Sequence, residues 1–137
     1  MRPRPAPPPK PSGNQIVGFG GKCVDVQHAL PAPGDRVELN TCGGNASQRW
    51  MFPADGTVRV LGLCLDVTGA GHADGVPVQL WTCNGTGAQK WRTGPGNSLV
   101  NAGSGRCLDA KDKQSADGTP LQVWQCWGGR NQTWLRR

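Results

Sequence analysis

Three Cys-x-Asp triplets, three block-ending Gln-x-Trp triplets and six cysteines hold most of the chemistry that the 137-residue sequence offers. They recur in register. Gly21 to Trp50 reads GKCVDVQHALPAPGDRVELNTCGGNASQRW, Gly62 to Trp91 reads GLCLDVTGAGHADGVPVQLWTCNGTGAQKW, and Gly105 to Trp134 reads GRCLDAKDKQSADGTPLQVWQCWGGRNQTW. The blocks align without a gap, and each carries one Cys at its third position and another 19 residues later. Sulfur at such spacing could bind a metal or form bridges. A metal site wants closely spaced ligands such as Cys-x-x-Cys, which the sequence lacks, so no metal or other cofactor is expected. The repeat favours pairing within each block: Cys23 with Cys42, Cys64 with Cys83, and Cys107 with Cys126. Each bridge would contribute about 3 kcal/mol by constraining the unfolded chain. Three of them point to an oxidising, extracellular setting, and the protein is expected to be secreted.

Nucleophilic catalysis finds no support. With the cysteines committed there is no Cys-His pair, no Ser-His-Asp set is available, and His28 and His72 have no counterparts in the other blocks and read as surface residues. The recurring aspartates have two readings. A carboxylate can tie a turn to backbone amides, or it can accept hydrogen bonds from a ligand's hydroxyls.

The elements that must position these residues are strands. Hydrophobic residues make up 36% of the chain against 21 Gly and 12 Pro, and no segment keeps a helical apolar period. No apolar run approaches the roughly 20 residues of a membrane span, so no membrane association is expected. A Trp at the same place in all three Gln-x-Trp endings (Trp50, Trp91, Trp134) reads as shared core, with Gln48, Gln89 and Gln132 satisfying nearby backbone. Residues 51–61 place Asp-Gly between apolar strands and residues 92–104 use Gly-Pro-Gly-Asn, both hairpin signals. Gln15-Ile16-Val17 matches the strand preceding the other blocks, and the chain stops just after the third Trp. A ring of three units closed by its termini explains both ends. The expectation is an all-β chain, a β-trefoil with a pseudo-threefold repeat and three intra-repeat disulfides.

The formal charge of +6 suggests nucleic acid until it is mapped. Arg2, Arg4 and Lys10 lie in the acid-free, Pro-rich stretch 1–13, and the other charges are spread thinly, with no basic block interleaved with aromatics. Nucleic-acid binding is therefore not expected. Residues 1–13 read as an extended linker without the apolar stretch of a signal peptide. Residues 14–137 form the folded domain, with repeats at about 14–53, 54–95 and 96–137.

The three C-[VL]-D motifs, the Q-[LV]-W-x-C stretches of blocks two and three, and the three Q-x-W endings together resemble the ricin B-type lectin family, also called family 13 carbohydrate-binding modules. The resemblance covers about residues 14–137. It implies a twelve-stranded β-trefoil with up to three shallow sugar sites, one per repeat. It also implies a monomeric module that often hangs from a secreted glycoside hydrolase or toxin through a Pro-rich linker, with a mono-, oligo- or polysaccharide as partner. Xylan, galactose-containing glycans and β-glucan all suit the ligand set.

Carried over position by position, the resemblance implies a complete site in block three: Asp109, Gln122, Trp124 and Asn131, with Gln132 supporting. Block two keeps Asp66, Gln79 and Trp81, with Gln89 supporting, but Ala88 stands where Asn is expected and binding should be weaker. Block one keeps Asp25 but has Glu38 for Gln, Asn40 for the aromatic and Ser47 for Asn, which implies a weak or silent site. Trp127 is an extra aromatic, at the rim of the third site or simply exposed. The implied function is non-catalytic sugar binding, with no catalytic residue in this chain. A glycosidase needs two carboxylates about 5–9 Å apart across one cleft, whereas a trefoil distributes these aspartates one per lobe. The alternative is a protein-binding or inhibitory trefoil that takes no sugar.

Overall fold

Cys-[VL]-Asp and the apolar stretch that follows it about 14 residues later form a hairpin in every repeat. The computed structural model describes residues 13–28 and 30–137, so the Pro-rich stretch apart from Gly13 lies outside the described residues. In repeat one, β1 (Ile16–Val17) leads into β2 (Cys23–Val26) and β3 (Val37–Asn40). Repeat two supplies β4 (Arg59–Val60), β5 (Leu63–Val67) and β6 (Val78–Trp81). β7 (Trp91–Gly94), β8 (Ser98–Asn101), β9 (Cys107–Ala110), β10 (Thr119–Trp124) and β11 (Leu135–Arg136) complete the order.

Register fixes which side chains share a face. Asp25 lies opposite Glu38, Asp66 opposite Gln79, and Asp109 opposite Gln122, in the antiparallel pairs β2–β3, β5–β6 and β9–β10. Because strand side chains alternate, the Cys and Asp of each hairpin point away from the core while the residue between them points in. Val24, Leu65 and Leu108 are that inward residue, all fully buried. Their carbonyls accept hydrogen bonds from the indole Nε1 of Trp50, Trp91 and Trp134 at 2.9, 3.0 and 2.9 Å. The three Gln-x-Trp tryptophans are therefore buried with their one polar atom satisfied.

Around the pseudo-threefold axis, each repeat hands one backbone hydrogen bond to the next. Gly34 N–H donates to the Leu80 carbonyl (2.7 Å), Gly75 to Val123 (2.8 Å) and Gly118 to Leu39 (2.7 Å). These glycines have φ of +95°, +87° and +89°, the left-handed region that a side chain rarely tolerates. The ring closes where β1 pairs with β11, Ile16 against Arg136 and Val17 against Leu135.

Eleven strands form among the described residues, where the family resemblance implied twelve. The difference lies at the end of repeat one, where Trp50 and Met51 make single bridges, to Asn14 and Arg59, and no ladder. Pro53 has no N–H with which to extend it. The three disulfides join the expected pairs: Cys23–Cys42, Cys64–Cys83 and Cys107–Cys126.

Replacing Cys64 and Cys83 together by Ser should lower unfolding stability by about 3 kcal/mol, read from the urea midpoint. Unchanged far-ultraviolet dichroism would show that the other two bridges and the shared core hold the trefoil. An unaltered midpoint would refute a stabilising role for this bridge.

Candidate functional site

The third hairpin presents Asp109, Gln122 and Trp124 side by side, because the Asp faces Gln122 across the strands and Trp124 follows Gln122 by two residues. A tight turn at Arg130–Gln132 then brings the end of the repeat over the hairpin. The Asp109 carboxylate accepts from Gln122 Nε2 (3.0 Å) through one oxygen, and from Asn131 Nδ2 (3.2 Å) and Gln132 Nε2 (2.9 Å) through the other. All four polar residues are buried, whereas Trp124 is 41% exposed. Asn131 also donates to the Ala110 carbonyl (3.2 Å), and its Oδ1 is buried with no donor among the described residues.

Burial pushes the Asp109 carboxyl above the ordinary aspartate range. The amides of Gln132, Gln122 and Asn131 pull it down, and the negative charge of Asp112 adds a small upward push. Asp109, Gln122, Trp124 and Asn131 line a cavity of about 340 Å³. Gln132 stands behind Asp109, joining it to the Gln125 carbonyl and accepting from the Trp127 N–H.

Sequence comparison of the repeats singled out neither Asp112 nor Lys113, which line the same cavity along with Trp127. The signal available was that Lys-Asp-Lys at 111–113 replaces the Thr-Gly-Ala of repeat two. Also missed was a clamp from the neighbouring repeat. Asp74 accepts from Gln125 N–H (2.7 Å) and pairs with Arg106 (2.8 Å), which ties repeat two to both strands bearing the site. Asp117 does the same for repeat one, accepting from Thr41 N–H (2.7 Å) and Lys22 (2.9 Å). The Ala-Asp-Gly shared by positions 73–75 and 116–118 was the legible trace of these clamps.

The second repeat assembles a reduced version. Asp66 accepts from Gln79 Nε2 at 3.3 Å and Gln89 Nε2 at 2.7 Å, and Trp81 is 43% exposed. Ala88 occupies the place of Asn131 and offers no side-chain hydrogen bond.

The first repeat is closed by its own side chains. Glu38 stands opposite Asp25, so two carboxylates meet where the other repeats pair a carboxylate with an amide. Asn40 Nδ2 donates to both, at 3.1 Å to Asp25 and 3.2 Å to Glu38, and the Arg36 guanidinium covers the other Glu38 oxygen at 2.9 and 3.2 Å. Asp25 also accepts from Val26 N–H (2.7 Å) and Gln48 Nε2 (3.0 Å). A small amide that donates to two carboxylates therefore occupies the place of the exposed ring.

Asp25→Ala should lower stability by about 1–3 kcal/mol, because it takes the carboxylate acceptor away from the buried amide of Gln48 and the Val26 N–H. Thermal unfolding measures this. A drop in melting temperature with unchanged sugar titration would mark Asp25 as structural, and a change in sugar affinity would contradict that assignment.

The chain matches the family of ricin-type β-trefoil lectin domains over residues 13–134. A glucan endo-1,3-beta-glucosidase from Cellulosimicrobium cellulans is 45% identical over 53 residues, which cover 38% of this chain and 10% of the enzyme. Among solved structures, the designed threefold-symmetric protein ThreeFoil superposes with a TM-score of 0.82 and 29% identity, covering 90% of this chain and 96% of its own. A non-toxic homologue of type II ribosome-inactivating proteins from Momordica charantia, solved with α-methyl-D-galactoside, superposes with a TM-score of 0.79 and 30% identity, covering 90% of this chain and 46% of its own. The matched segments span about a tenth of the length of the curated relatives. A family match that takes in all three repeats, on a threefold ring with three disulfides, makes this chain a member of the ricin-type β-trefoil lectin domains, a carbohydrate-binding fold.

Proposed function

We propose that the third repeat is the principal sugar site. Asp109 accepts hydrogen bonds from two hydroxyls of a pyranose, Gln122 and Asn131 complete the polar contacts, and Trp124 stacks on the apolar face of the ring. One observation carries the reading: a buried carboxylate held by three amide donors lines the same open cavity as a 41%-exposed indole. Such a pairing of charge-assisted acceptor and flat apolar surface suits a polyol with one hydrophobic face.

Asp66, Gln79 and Trp81, supported by Gln89, form a weaker second site, and the first repeat is silent. A few hydrogen bonds and one stacked ring correspond to a dissociation constant of about 0.1–1 mM. Two such sites on one rigid ring raise apparent affinity for a polymer by about 10²-fold where one strand reaches both. The role that follows is retention of a linked partner, such as a glycoside hydrolase joined through the Pro-rich residues 1–13, near a polysaccharide outside the cell. The glucanase relative favours a β-1,3-glucan, and the Momordica neighbour favours galactose-containing glycans.

Calorimetric titration against galactose, lactose, xylan and laminarin tests this. Asp109→Ala should weaken binding to the responding sugar by at least about tenfold, the loss expected for a charged hydrogen bond. Equal binding by the variant would remove the third repeat as principal site. Ala88→Asn should strengthen the weaker site by several-fold to tenfold, visible as a second set of binding events on laminarin or xylan.

Affinity at the third site should also fall in acid. The ionised form of Asp109 is the acceptor, so binding is intact above its folded-state pKa and is lost as pH drops through it. Because burial raises that pKa, the midpoint lies above the ordinary aspartate value. A titration series from neutral to acid pH gives this midpoint, and a midpoint at or below the ordinary value would contradict the buried carboxylate's role.

A further inference from the structure

Trp127 separates the third repeat from the other two more sharply than any of the shared ligands. The equivalent positions are Gly43 and Asn84. Its ring is 52% exposed and lines the same cavity as Trp124. It is also seated. A Cβ on Gly129 would lie 2.0 and 2.2 Å from Cζ2 and Cη2 of Trp127, so the indole packs directly on the Gly129 backbone. The equivalents of Gly129 are Asn45 and Thr86, neither of which leaves room for a ring in that pose. The large residue and the missing side chain thus occur together in this one repeat.

Lys113 completes the group. Repeat two has Ala70 at its position, while in repeat three the Lys113 ammonium lies 4.7 Å from the Trp127 ring centroid. That contact holds a flexible donor at a defined place over part of the aromatic surface. Asp112, exposed in the same loop and lining the same cavity, adds an acceptor. An exposed ring fixed in position, with one donor and one acceptor next to it, is again the chemistry of sugar recognition. Neither Trp127 nor Lys113 hydrogen-bonds the Asp109 carboxylate, so the group lies beside the first sugar's polar contacts and does not duplicate them.

We infer that Trp127, Lys113 and Asp112 form a second subsite contiguous with the third-repeat site, so that this repeat binds two linked sugar residues of an oligosaccharide. The first residue sits on Asp109 and Trp124 and the second on Trp127. The inference rests on the sugar-binding reading of the third repeat. It makes Trp127 and Lys113 determinants of chain length and linkage, with no part in recognising the first ring.

The test is calorimetric titration of the intact chain with matched pairs: galactose and lactose, xylose and xylobiose, glucose and laminaribiose. In the responding pair the disaccharide should bind about three- to tenfold more tightly than the monosaccharide. Trp127→Ala should abolish that increment and leave the monosaccharide constant within about twofold. Lys113→Ala should remove part of it. In a proton–nitrogen correlation spectrum of the unaltered protein, the Trp127 indole signal should move with the disaccharide and stay in place with the monosaccharide. That readout stands even where a variant folds poorly. Equal affinity for the two members of the responding pair, or equal weakening of both by Trp127→Ala, would overturn the second subsite while leaving the sugar site intact. Failure of every pair to bind the unaltered protein would overturn the sugar-binding reading and this inference with it.

Discussion

In each repeat a buried aspartate accepts a hydrogen bond from the side-chain amide of the Gln that begins the closing Gln-x-Trp. Gln48 reaches Asp25 at 3.0 Å, Gln89 reaches Asp66 at 2.7 Å, and Gln132 reaches Asp109 at 2.9 Å, each across 23 residues of sequence. The same Gln donates to a carbonyl just before the second Cys, and its oxygen accepts the N–H just after that Cys. A charge more than nine-tenths buried is costly unless its oxygens are satisfied. This one contact therefore stitches the hairpin, the disulfide-bearing strand end and the closing turn into a unit. The Trp two residues later can then drop into the core and donate to the carbonyl between Cys and Asp. Remove the contact, and the disulfide still joins the ends of the loop, but the turn loses one of the ties that place it over the hairpin, with the buried Trp left to hold it.

The three repeats share this frame and differ in what is laid on its outer face. In the third, Asp109 lines an open cavity together with an exposed ring. In the second, one amide is missing at Ala88. In the first, a second carboxylate at Glu38 replaces the amide, Arg36 pairs with it, and Asn40 donates to both acids and fills the face. A frame stabilised by aspartate–amide contacts, disulfides and a shared tryptophan core can lose a ligand site without losing the repeat. This separation of load explains why Asp25 persists in a repeat whose outer face is filled by its own side chains.

The repeats also depend on one another. Gly75 of repeat two lies against Trp124 of repeat three, where a Cβ would come 3.7 Å from the ring, and Gly34 stands in the same relation to Trp81. Asp74 and Asp117 carry charge across two of the three junctions, and the Lys22 and Thr41 donors hold the exposed Asp117 carboxyl below the ordinary aspartate range. At the remaining junction Pro33 takes the place of the aspartate. The platform of each site is thus supported by the loop of the repeat before it, and the third site has the fuller support of glycine and clamp together.

Much of this was legible in the residues. Gapless repetition of Cys, Asp, Cys and Gln-x-Trp determined the disulfide pairing, the buried tryptophans, the all-β class and the threefold ring, because these follow from local period and spacing that repeat identically. With the family resemblance, the same alignment gave an expected order for the three repeats, since a missing amide or ring is visible as a letter. What only the tertiary structure decided arises where chain paths cross. The seating of Trp127 on the Gly129 backbone and the entry of Lys113 and Asp112 into the third cavity depend on loop conformation. Asp112 and Lys113 both sit at positive φ, 56° and 53°, as Gly69 and Ala70 do at the same places in repeat two, but the side chains they carry into the cavity are their own. Spacing along a strand dictates which face a residue takes, but the path of a loop is set by what it packs against.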